Sequence, residues 1–169
     1  MNPVATRCVR TAVLSVVLLL LCSGSVWAVV FSVGSTTAVT DQRDTVLPLS
    51  VSEREGIVGF AVFLRYDPRL IEVVDVIPVD ATEEFSFSMN LSRPGTAKLT
   101  ALNLDLNVLP SGAGPIAELE ISIAAGGLSA GGSATISATL VELYDANAVK
   151  IPVSPVDGKI EIVRRSRER

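Results

Sequence analysis

The stretch from Gly59 to Val74, GFAVFLRYDPRLIEVV, leaves this chain few architectures to choose from. Phe60, Val62, Leu64 and Tyr66 alternate with Ala61, Phe63 and Arg65, the period of a strand with one buried face. Pro68 has no N–H for a ladder and fixes its own φ, and it drives Asp67 towards an extended conformation. The strand therefore ends at an Asp-Pro corner. Leu70, Val73 and Val74 begin a new apolar segment beyond it.

The rest of the chain repeats this grammar. Strands are expected over Val29–Val33, Thr45–Ser52, Ile71–Val79, Phe85–Leu91, Thr96–Leu104, Ile116–Ala124, Ser133–Tyr144 and Lys159–Val163. Pro48 marks its strand as an edge or a bulge. Ser92-Arg93-Pro94-Gly95 is a turn that makes a hairpin of the segments around it. In Ser133–Tyr144 the apolar phase changes between Leu140 and Val141, which implies a bulge. Ala124–Ala130 carries too many glycines for a helix. Nine short strands with turn signals every ~8–12 residues predict an all-β sandwich.

The N-terminus reads differently. Arg7 and Arg10 precede an apolar run from Ala12 to Leu21, and small residues follow up to Ala28. This is the pattern of a secretory signal peptide cleaved after Ala28. The run is about half the ~20 residues a spanning helix needs, so no membrane span is expected after cleavage. Bulky Leu21 before Cys22 argues against lipidation of that cysteine. Residues 1–28 are thus read as signal, 29–163 as one domain and 164–169 as a basic tail, with release to the periplasm or the outside.

Removing the signal takes away Cys8, Cys22 and Trp27, so the mature chain has neither cysteine nor tryptophan, and the whole sequence has no histidine. Ser-His-Asp and Cys-His catalysis and the usual zinc sites are excluded. The carboxylate pairs Glu118/Glu120 and Glu83/Glu84 lack the opposed spacing a glycosidase needs and read as solubilising charge. No catalytic residue is expected. Asp41, Asp44, Asp145, Asn147 and Asp157 could contribute to a calcium site, but they lack the alternation of an EF-hand loop, and turn formation explains them as well. Residues 29–163 carry 8 basic and 17 acidic groups, a body that repels nucleic acid. A polysaccharide-binding face would use exposed Trp and Tyr, and only Tyr144 and Phe63 are available for exposure.

Tyr66-Asp67-Pro68 followed by Leu70-Ile71-Glu72-Val73-Val74, together with the closing VELYDANAVKIPVSPVDGKIEI from Val141 to Ile162, resembles the cohesin family. The glycine-rich connection before the penultimate strand fits too, and the resemblance covers residues 29–163. It implies a nine-stranded jelly-roll β-sandwich without catalytic activity. It also implies a protein partner, the dockerin, a small calcium-loaded helical module on polysaccharide-degrading enzymes; any calcium is then carried by the partner, and no cofactor is expected here. Because the fold is shared with carbohydrate-binding modules, direct binding of polysaccharide is an alternative. A structural extracytoplasmic domain with a non-dockerin partner is another.

In the family, dockerins dock on a sheet face that includes the strand before the Asp-Pro corner. Its outward positions here are Gly59, Ala61, Phe63 and Arg65, with Ser86, Ser88 and Asn90 expected from a neighbouring strand. Family members place Asn and Asp near the first two of these positions, where this chain has Gly59 and Ala61. The departure points to a different partner specificity, with Phe63 as an aromatic anchor beside the Arg65 cation.

Overall fold

The structure is a computed structural model that describes residues 28–39, 45–124 and 132–163. The expected signal segment up to Trp27, the acidic pair Asp41 and Asp44, the glycines from Gly126 to Gly131 and the basic tail from Arg164 lie outside the described residues. Among the described residues no helix is long and apolar enough to cross a membrane.

In chain order the strands are β1 (Val29–Val33), β2 (Thr36–Val39), β3 (Thr45–Val51), β4 (Gly59–Arg65), β5 (Ile71–Ile77), β6 (Ser86–Asn90), β7 (Thr96–Leu102), β8 (Gly114–Ile123), β9 (Ser133–Tyr144), β10 (Lys150–Ile151), β11 (Val153–Val156) and β12 (Gly158–Val163). A single 3₁₀ turn at Asp80–Thr82 follows β5. The smaller sheet has the order β11-β1-β3-β8-β5, and the larger has β2-β12-β9-β4-β7-β6 with β10 paired to β9. The two sheets close on each other as a sandwich, the all-β architecture the alternation predicts.

There are twelve described strands rather than the expected nine. The three additions, β2, β10 and β11, are two to four residues long and too short to show a period. They exist because of pairing rather than pattern: β2 lies parallel to β12, and β11 lies parallel to β1.

The alternating phases meet in one core. Leu47 and Leu49 of β3, and Leu119 and Ile121 of β8, face Val62 and Leu64 of β4, Leu99 of β7, and Ile136 and Leu143 of β9, all without solvent exposure. Burying each such side chain contributes about 1.5–3 kcal/mol.

Pro48 needs a correction. β3 is an interior strand between β1 and β8, not an edge. The Pro48 carbonyl accepts a 2.8 Å hydrogen bond from the Gly34 N–H on the β1 side. Its nitrogen faces that same side, where β1 has already ended at Val33, so the missing N–H deprives no ladder partner. A register shift does fall next to it, between Leu49 and Ser50, where β8 contributes the extra residue Ile116.

The Asp-Pro corner forms as expected. Leu70 and Ile71 donate their N–H groups to the Asp67 carbonyl at 3.0 and 3.2 Å. The Tyr66 N–H reaches the Gly95 carbonyl of the β6–β7 turn at 3.0 Å. Gly95 has φ +78°, and a Cβ there would stand 2.9 Å from the Tyr66 carbonyl oxygen. Only glycine lets the hairpin turn sit against the corner.

Candidate functional site

The strands β9, β4, β7 and β6 lie side by side, and their outward residues form aligned rows. The register places Tyr144, Gly59, Leu102 and Ser86 in one row and Glu142, Ala61, Thr100 and Ser88 in the next. A third row holds Leu140, Phe63, Lys98 and Asn90. Arg65 stands beyond it, opposite Thr96 of β7. The seven residues the sequence singles out therefore share one face, but they are not all at its surface. Phe63, Arg65, Ser86, Ser88 and Asn90 are exposed, Ala61 is half-buried and Gly59 is buried. The outward phase expected of Gly59 does not give it contact with solvent. A Cβ there would lie 3.0 Å from Leu102 Cδ1 and 3.1 Å from the Ala101 carbonyl oxygen, so neighbouring β7 covers it.

The large apolar side chains of the face are Phe63 and Leu140, adjacent in the third row, and Leu102 in the first. Phe63, Leu102 and Leu140 are 36%, 44% and 45% exposed, values that core positions of the same strands never approach. Leu140 faces outward because of a bulge: Phe63 pairs with Leu140 but Leu64 pairs with Ala138, leaving Thr139 as the extra residue. The sequence places the phase change after Leu140; the structure places it one residue earlier, and Leu140 moves from the core to Phe63's side. The Thr139 hydroxyl donates to the Phe63 carbonyl at 3.3 Å. Lys98 holds its ammonium 5.3 Å from the centre of the Phe63 ring, a cation–π contact.

Two depressions flank this centre. One, of about 290 Å³, has Gly59 and Ala61 at its base among Leu102, Leu106, Tyr144 and Asp145. The other, of about 420 Å³, lies beside Phe63 and Leu140 and gathers Arg65, Arg93, Lys98 and Asn90. The rim near the first is held by a polar cluster. Tyr144 donates its hydroxyl to Glu142 Oε2 at 2.8 Å, and Lys150 forms an ion pair with Glu142 Oε1. The Lys150 bond, with Tyr144 second, holds the Glu142 carboxyl below its usual range, and the Glu142 bond pushes the Tyr144 hydroxyl up. Tyr144 is thus tied to its neighbours through its hydroxyl and half-buried, which does not suit a flat stacking platform for a sugar ring.

The other candidate residues serve the backbone. Asp145 Oδ1 accepts from the N–H groups of Asn147 and Val149 at 2.9 and 2.8 Å, closing the turn into β10. Asp157 accepts from the Ser137 hydroxyl at 2.9 Å and the Ala138 N–H at 3.1 Å, tying β12 to β9. Among the described residues no three Asp or Glu side chains converge as metal ligands would.

Reasoning from the sequence alone missed Lys98, Thr100, Leu102 and Leu140. The first three were within reach: once Ser92–Gly95 is read as a hairpin turn, Ala97, Leu99 and Ala101 must face inward, and their neighbours must face outward. Leu140 was not, because a bulge is visible only in the pairing.

Comparison with known proteins adds three findings. The family model for the cohesin domain matches residues 29–162. No curated protein sequence matches the chain. Among solved structures, the chain is similar to the cohesin CaCohA2 of Clostridium acetobutylicum, solved in complex with a CaDoc0917 variant, with 24% identity, a TM-score of 0.71, and coverage of 80% of this chain and 100% of that one. It is similar to a non-cellulosomal cohesin from the archaeon Archaeoglobus fulgidus, with 20% identity, TM-score 0.67, and 81% and 92% coverage. It is also similar to the sixth cohesin of Acetivibrio cellulolyticus scaffoldin B, solved with a Cel5 dockerin mutant, with 18% identity, TM-score 0.71, and 80% and 99% coverage.

Proposed function

Because this chain belongs to the cohesin domain family, we propose that it is a non-catalytic module that binds a dockerin-type partner through the outer face of β9, β4, β7 and β6. The observation that carries this reading is the third row of that face, where Leu140, Phe63 and Lys98 lie side by side on adjacent strands. Adjacent exposed apolar side chains on a sheet face, with polar residues around them, are what a protein interface uses. Phe63 is the anchor. Ala61, Arg65, Ser86, Ser88 and Asn90 surround it, and Gly59 and Ala61 line the apolar depression beside it.

The same reading takes residues 1–28 as an export signal, 29–163 as the binding domain and 164–169 as a tail, and places the protein outside the cytoplasm. Its complexes belong with polysaccharide breakdown, and calcium enters only through the partner. Two of the similar structures are cohesins solved with dockerins, which supports the choice of partner class.

Titration with calcium-loaded dockerin modules from the same organism tests this. One of them should bind at one-to-one stoichiometry and be released when calcium is chelated. Phe63→Ala should keep the fold and weaken that binding by more than about 1 kcal/mol. Retention on insoluble polysaccharide with no dockerin bound would overturn the proposal.

A further inference from the structure

The cations of this acidic chain are unevenly employed. Among the described residues they are Arg54, Arg65, Arg69, Arg93, Lys98, Lys150 and Lys159. Arg69, Lys150 and Lys159 are paired with Asp67, Glu142 and Glu161. Arg54 donates its Nε–H to the Gly112 carbonyl at 3.1 Å. The remaining three, Arg65, Arg93 and Lys98, form no ion pair among the described residues, and all three line the 420 Å³ depression beside Phe63. No carboxylate lines it with them, although acidic residues outnumber basic ones in the domain.

Of the four other cations among the described residues, three are ion-paired. Glu142, already paired with Lys150, is the carboxylate that Lys98 feels from the neighbouring row; within the depression three like charges still repel one another and raise a local positive potential. Their position is specific too: the Lys98 ammonium sits over the ring of Phe63, so the charge borders directly on the apolar contact.

Resting on the docking face proposed above, we propose that the partner presents carboxylates to Arg65, Arg93 and Lys98 while an apolar side chain of the same segment seats on Phe63 and Leu140. Arg65 and Arg93 offer planar forks suited to bidentate carboxylate bonds. The partner surface is therefore acidic at one end and apolar at its centre. Charge at the rim then sets both the rate of encounter and the choice among partners.

The test uses the protein as its cells produce it and calcium-loaded dockerin modules as probes. The triple variant Arg65→Glu, Arg93→Glu, Lys98→Glu should keep the wild-type melting temperature and lose affinity by about 30-fold or more. Lys159→Glu, on β12 beyond β9 and outside the four docking strands, should bind as the wild type does. Raising salt should weaken wild-type binding and, by screening the like-charge repulsion that the reversal creates, strengthen binding by the triple variant. Replacing acidic residues of the bound module with lysine should restore binding to the triple variant. If Phe63→Ala weakens binding but charge reversal and salt do not, the acidic partner surface is wrong and the docking face stands. If no module binds, or binding ignores Phe63→Ala, the docking face itself is wrong. Retention of polygalacturonate through the three cations, with dockerin binding unchanged by charge reversal, also overturns the inference.

Discussion

Asp67 shows how much a single corner residue does. Its Oδ1 accepts 3.0 Å bonds from both the backbone N–H and the Nε–H of Arg69, and its Oδ2 accepts from an Arg69 terminal nitrogen at 2.6 Å. The Arg69 side-chain bond, followed by the backbone bond, lowers the carboxyl from 3.8 to about 2. A folded-state value below the unfolded one means the pair stabilises the corner above about pH 4 and loses that contribution as pH falls towards about 2. The pair is solvent-exposed, so salt screens it. Asp67→Asn should therefore flatten the fall of the melting temperature between pH 4 and 2. Identical pH profiles for variant and wild type would show that the pair does not act on the fold. Phe63 is the residue-scale counterpart for the proposed docking: it is exposed with Lys98 over its ring, and alanine there is expected to leave the core intact.

At the scale of the element, β9 carries the most information. Up to Ala138 its even-numbered residues are buried, and after Leu140 its odd-numbered residues are. A strand with a strict period of two cannot do this; one extra residue, Thr139, absorbs the change. The bulge predicts opposite outcomes for two leucines of the same strand. Leu140→Ala should change stability by no more than about 0.5 kcal/mol, whereas Leu143→Ala, which empties a fully buried site, should cost about 2–5 kcal/mol. Denaturant titration of the two variants checks this, and a core-sized loss at Leu140 would put the bulge elsewhere. The β6–β7 hairpin is the contrasting case. The Thr96 N–H and hydroxyl both bond the Arg93 carbonyl, at 3.1 and 2.9 Å, and the turn residues announce this without help from distant strands.

Across the whole molecule, the two ends of the domain are stitched together. β1 runs in the smaller sheet, and after Gly34 and Ser35 the chain continues as β2 in the larger one. The crossing is tight against the start of β12: a Cβ on Gly158 would lie 2.4 Å from the Gly34 carbonyl oxygen and 2.6 Å from Val33 Cγ1. A backbone oxygen cannot swing aside as a side chain does. Gly158→Ala should therefore lower stability by about 1–3 kcal/mol, the range for overpacking, with the unfolding transition still cooperative. An unchanged denaturation midpoint would mean that β2 and β12 can separate without cost. The proposed docking face begins at β9, the strand next to this seam, and runs on through β4, β7 and β6, which are held by long antiparallel pairings.

The amino-acid sequence by itself determined much of the local geometry: which residues of the long strands face inward as far as the bulge in β9, where Pro68 ends a strand, and where Gly95 permits a turn. These follow from backbone sterics and a period of two, and each is settled within a few residues. Tertiary structure alone decided which strands lie side by side. Phe63 is outward in the sequence, but its neighbours Leu140 and Lys98 come from strands far along the chain, and Gly59 is buried only because β7 covers it. Period two specifies a face and says nothing about register between distant strands, which is set by hydrogen bonds, bulges and core packing acting together. The three cations gathered beside Phe63 belong to that second kind of information.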